Sequence, residues 1–142
     1  MNRRRAITLL SALGFLLIAV MGCRPSDRLR TYPTSGRVLD ADRKPLASGT
    51  VLFESVEHGL IARGQIGADG QVKLETYGDG DGAVLGRHRA VVIPGISANV
   101  DRDANSRRMA PVHTRYTRFE DSGLEFEVRE AAENVFEFVL SG

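Results

Sequence analysis

The sequence contains one cysteine, no tryptophan, six phenylalanines and three tyrosines. A single cysteine excludes an internal disulfide, so a folded domain must be held by a hydrophobic core. A dominant charge is missing as well. Its 19 basic residues face 18 acidic ones, and without Arg3, Arg4 and Arg5 the balance becomes 16 to 18, a net charge of −2. A domain this close to neutral has no electrostatic footprint for nucleic acid, and no nucleic-acid partner is expected. Catalytic and metal-binding spacing is lacking too. His58, His88 and His113 do not stand at ligand spacing from one another, and no G-x-S-x-G occurs. Asp79-Gly80-Asp81-Gly82, even with Asp40, Asp42, Asp101 and Asp103, lacks the closing glutamate of a calcium loop and has the composition that any β-turn selects. The expectation is a non-enzyme with no catalytic residue, no metal and no separate cofactor. At 142 residues there is room for one domain.

What is present begins at the N-terminus. Arg3, Arg4 and Arg5 precede residues 6–21, which carry no charge, and Val20-Met21-Gly22-Cys23 follows directly. Sixteen helical residues reach only about 24 Å, short of the roughly 30 Å hydrocarbon core. A basic start, a short apolar helix and a small residue before a cut site read as a cleavable export signal. Val20, Gly22 and Cys23 resemble the bacterial lipobox, although Met21 is bulkier than the usual residue at its position. The resemblance implies cleavage between Gly22 and Cys23, a diacylglyceryl group on the Cys23 thiol and an acyl group on its amine. Membrane attachment is then through lipid, and two or three acyl chains hold firmly where one would be marginal. In bacteria that sort lipoproteins by the next residue, Arg24 in place of Asp favours the outer membrane. The expected location is the cell envelope, facing the periplasm.

Residues 1–22 are therefore read as signal peptide, 23–34 as lipidated cysteine and tether, and 35–142 as the domain. Extended, the 11 residues 24–34 span at most about 36 Å. From Ser35 onward the apolar residues alternate with period two, the strand signature. Strands are expected over residues 36–39, 50–56, 60–66, 71–76, 88–93, 124–129 and 136–140. Ala68-Asp69-Gly70 marks a tight hairpin, residues 77–82 a glycine-rich loop, and residues 130–134 a second hairpin turn. Seven short strands separated by turns predict an all-β domain, a seven-stranded antiparallel β-sandwich behind the signal-peptide helix.

Ser35-Gly36-Arg37-Val38, Lys44-Pro45-Leu46 and Gly49-Thr50-Val51-Leu52-Phe53 resemble the opening of carboxypeptidase regulatory-like domains, which are small transthyretin-like (prealbumin-like) sandwiches. Ala68 to Leu74 is similar to that family's hairpin, and Gly82 to His88 to its glycine-marked approach to the next strand. Tyr116, Ser122-Gly123-Leu124 to Val128 and Asn134 to Leu140 are similar to the closing strands of small planctomycete lipoproteins. Two positions depart from the pattern: His88 stands where an aromatic is usual, and Ala90 where a larger aliphatic is. His88 is accordingly expected to pack as an aromatic would. The resemblance implies an accessory binding, adhesion or structural module. Transthyretin-like enzymes acting on 5-hydroxyisourate carry a C-terminal Tyr-Arg-Gly-Ser, whereas this chain ends Val139-Leu140-Ser141-Gly142.

One stretch has no period: residues 94–123. Long loops of this kind are usually functional or disordered. Arg107, Arg108, Arg115 and Arg118, with Tyr116, form a candidate contact surface for an anionic envelope partner, protein or polysaccharide. The alternative function is a carbohydrate-binding module, which needs exposed aromatic platforms. Only Tyr32, Tyr77 and Tyr116 are offered for that role. A hydrolase is a third and less favoured reading, since it would need polar residues converging in a pocket.

Overall fold

The computed structural model describes residues 27–95 and 112–141. The leader, Gly22 and Cys23, and the arginines Arg107 and Arg108 lie outside the described residues. Strands form at all seven stretches where they are expected and at two where they are not, residues 31–32 and 83–84: β1 (Thr31–Tyr32), β2 (Thr34–Leu39), β3 (Gly49–Ser55), β4 (Ile61–Ile66), β5 (Gln71–Lys73), β6 (Ala83–Val84), β7 (Gly86–Pro94), β8 (Leu124–Val128) and β9 (Asn134–Val139). Among the described residues one 3-10 turn, Thr114–Thr117, interrupts this all-β order. Residues 31–34, read above as tether, belong to the fold as β1 and the first residue of β2.

Seven strands make one mixed sheet in the order β8-β7-β3-β4-β5-β2-β9, and β1 pairs with β6 in a separate two-stranded ribbon. The antiparallel expectation is corrected here. β2 and β9 run parallel over six pairs, from Thr34 opposite Asn134 to Leu39 opposite Val139. The turn after β8 is not a hairpin either, because β8 and β9 lie at opposite ends of the strand order. Asn134 accounts for the divergence. Its side-chain oxygen accepts the Arg129 amide at 2.9 Å, its side-chain amide donates to the Arg129 carbonyl at 3.1 Å, and its backbone amide donates to Pro33 at 2.8 Å. The bend is closed by a side chain, which frees the backbone of β9 to take β2 as its ladder partner.

Since five residues separate the two ends of the sheet, the sheet must curl over its own core. Phe53 of β3 sits 5.0 Å from Phe136 and 5.9 Å from both Phe126 and Phe138, centroid to centroid. Tilted ring pairs at such separations add about 0.5–1.5 kcal/mol beyond their buried area. Val38, Val51, Val72, Leu74, Val92 and Val128 fill the space around them. The Ala68-Asp69-Gly70 hairpin forms as read: Gly70 takes φ 76°, and the Gly67 amide donates to Gln71 at 2.9 Å.

Candidate functional site at the leading end

The chain enters the fold against the glycine-rich loop. The Leu29 amide donates to the Tyr77 hydroxyl at 3.1 Å, and the Arg28 guanidinium lies 5.1 Å from the Tyr77 ring centre. Arg30 lies 5.2 Å from the Tyr32 ring and 3.6 Å from Glu130. Asp81 organises the loop. Its carboxylate accepts the amides of Thr76 at 2.8 Å and Tyr77 at 3.2 Å, and the Thr31 hydroxyl at 3.3 Å. Asp81 thus ties the loop to β1, and its oxygens are occupied by protein donors. Gly82, at φ 91°, lies so close beneath Tyr32 that any side chain there would collide with the Tyr32 carbonyl. Among the described residues no group of three or more histidine, cysteine, aspartate or glutamate side chains converges. Asp40 likewise serves a turn, accepting the Asp42 and Lys44 amides at 2.9 Å each; Asp101 and Asp103 lie outside the described residues.

Of the candidate contact residues, Arg115, Tyr116 and Arg118 are described, and they do different things. Tyr116 is buried in the core, which corrects its assignment to a contact surface. Its hydroxyl accepts from the Ser141 amide at 3.0 Å and from Arg115, and shares a hydrogen bond with the Ser141 hydroxyl at 2.9 Å. Every donor and acceptor position of that hydroxyl is therefore used. Burial pushes the Tyr116 phenol up, but the hydrogen bonds from Arg115 and Ser141 and the Arg115 charge together carry it below its ordinary value of 10.0. Arg115 is spent on the same cluster: its guanidinium stacks 4.6 Å from the Tyr116 ring centre and donates to the Ser141 hydroxyl at 2.8 Å. Arg118 is exposed, with Asp121 4.0 Å away. The stretch ends at Ser122, whose hydroxyl donates to the Ala90 carbonyl at 2.6 Å. Residues 112–123 therefore act as a strap fastened at Tyr116 and Ser122.

His88 packs as an aromatic would, fully buried and tilted against Phe53 at 5.9 Å. Its Nδ1–H donates to the Gly86 carbonyl at 3.0 Å, and its Nε2 is buried without a partner. Burial holds the imidazole below its ordinary 6.5, against the opposing pull of the Gly86 carbonyl and Glu57; the nearby His58 also lowers it. His58 sits in the β3–β4 turn, its amide donating to Ser55 at 3.2 Å. His113 caps the 3-10 turn by accepting the Arg115 amide at 3.2 Å. The histidines thus have three separate local duties.

A cleft of about 690 Å³ opens between β2, the β4–β5 hairpin and the turn before β9, lined by Ser35, Gln65, Ile66, Val72, Lys73 and Glu133 among others. Ser35 donates to Glu133 there at 3.3 Å. Tyr32 and Tyr116 are buried and only Tyr77 is exposed, with Arg28 and Leu29 already against it. The sequence reading missed Asp81 as the organiser of the loop. The available signal was an aspartate placed to accept amides across a glycine-rich turn, the Asx pattern. No protein-family model matches the chain, and no curated protein or solved structure matches it either.

Proposed function

We propose that the chain is a lipid-anchored cell-envelope protein, held to the membrane through acylated Cys23, whose β-domain is a non-catalytic binding, adhesion or structural module facing the periplasm. One observation carries this reading: Gly22-Cys23 closes an uncharged 16-residue run behind Arg3, Arg4 and Arg5. The outer membrane is the favoured location, on the strength of Arg24. The finer fold belongs to the same proposal: a transthyretin-like, carboxypeptidase regulatory-like arrangement of the strands in two layers around the core. The Phe53–Phe136 contact across the core supports that two-layered description.

Support for a non-catalytic role comes from how the reactive side chains are used. Among the described residues the two groups with shifted ionisation, His88 and Tyr116, are buried as packing and clamping residues. The carbohydrate-binding reading loses its platforms, since two of its three tyrosines are inside. Radiolabelled palmitate fed to cells making the full chain tests the anchor. Label on the protein and its recovery in the membrane fraction are expected, and both should vanish in Cys23→Ser. Undiminished label in Cys23→Ser would overturn the proposal.

A further inference from the structure

The described residues expose seven large apolar side chains: Leu29, Val56, Ile61, Tyr77, Leu85, Ile93 and Val135. Five of them gather at one end of the domain. Val56 follows β3 and Ile61 opens β4, on either side of the same turn. The Val56 amide donates to Arg87 at 2.9 Å, which sets Val56 beside the start of β7 and hence beside Leu85. Ile61 and Tyr77 line one shared cleft, and Leu29 is bonded to Tyr77. Ile93 lies at the opposite end of β7, opposite Thr50, and Val135 lies along β9.

This apolar end is also where the chain enters. From Cys23 to Leu29 there are six residue steps, at most about 22 Å when fully extended. Leu29 is fastened to Tyr77, so that reach is the whole freedom between an anchored Cys23 and the domain. We infer that Leu29, Val56, Ile61, Tyr77 and Leu85 form a membrane-contacting end, which rests the domain on the bilayer to which Cys23 is attached. The inference depends on the lipid anchor proposed above.

The occupant is the lipid surface, because the tether delivers this end, and not the Ile93 end, to the bilayer. Leu85 to Ile93 is eight residues along β7, about 26 Å in a strand. Charges at the leading end are of both signs: Arg28, Arg30 and Arg87 stand with Glu57, Asp79 and Glu130. The contact is therefore apolar and independent of anionic headgroups. Exposed Leu, Ile, Val and Tyr side chains are the kind that settle at the headgroup boundary.

The test uses the full lipidated chain in phosphatidylcholine vesicles, with Leu85→Cys or Ile93→Cys carrying a fluorophore. Both positions are 43–48% exposed, so neither substitution disturbs the core. Lipids spin-labelled near the headgroup should quench the Leu85→Cys probe several-fold more than the Ile93→Cys probe. Equal quenching, or none at Leu85→Cys in a protein whose mass shows the acyl groups, overturns the membrane-contacting end and leaves the anchor standing. A mass without acyl groups overturns both. A Leu85→Cys probe that is unquenched in vesicles but shielded in concentrated detergent solution would assign this end to a second copy, and would also overturn the inference.

Discussion

The Tyr116 hydroxyl accepts the backbone amide of Ser141 at 3.0 Å, so a residue of the strap before β8 fastens the chain just beyond β9. Tyr116→Phe removes that acceptor while keeping the ring in the core. Urea unfolding of the variant should show a loss of about 1–2 kcal/mol, the range for a buried hydroxyl with several partners. Tyr116→Ala should cost more, about 3–5 kcal/mol, because the ring leaves a cavity as well. Equal stability of Tyr116→Phe and the parent would mean that the clamp contributes nothing in solution.

His88 sets an acid limit on stability. Its imidazole is held below 6.5 in the fold, mainly by burial, so the unfolded chain takes up a proton before the folded chain does. Stability is therefore fully present above the unfolded value and falls as the pH drops from there towards the folded value. The slope from one such group is at most about 1.4 kcal/mol per pH unit. His88→Phe keeps a ring against Phe53 and removes the titration. Denaturation midpoints measured between about pH 7.5 and 5.5 should fall in the parent and stay flatter in His88→Phe. The same fall in both would assign it to other groups.

Gly36 lies opposite Phe136 in the parallel pair, and a Cβ there would collide with the Phe136 backbone carbonyl oxygen and stand 2.5 Å from the Phe136 Cγ. Gly36→Ala should destabilise by about 1–3 kcal/mol through overpacking. Combined with Phe136→Leu, it should cost about the sum of the two single substitutions, because leucine keeps a Cγ in the same place and the backbone carbonyl stays. A cost well below that sum in a double-mutant cycle would assign the obstacle to the ring beyond Cγ.

Period two served well where strands were long and one-sided. Residues of β3, β4 and β9 alternate between core and surface as read. Alternation says which side chains point inward but nothing about which strand lies alongside, so the parallel β2–β9 pair was hidden. Polar residues between β8 and β9 looked like a hairpin turn, and the two hydrogen bonds between the Asn134 side chain and the Arg129 backbone show why the strands part. A two-residue strand such as β1 is too short to have a period at all. Tyr116 looked like a loop tyrosine because its partner, Ser141, is 25 residues away. Leu85, between buried Val84 and Gly86, carried no signal that it points outward.

The β2–β9 pairing has a consequence for the order of events. Thr34 finds its ladder partner at Asn134, a separation that makes this one of the most costly loops for the chain to close. Until residues 134–139 have been synthesised, β2 has only the short β5 beside it, and the aromatic core lacks Phe136 and Phe138. Completion of the core thus waits for β9. On the proposed export route, the same delay keeps the chain threadable for as long as a translocation pore needs it to be.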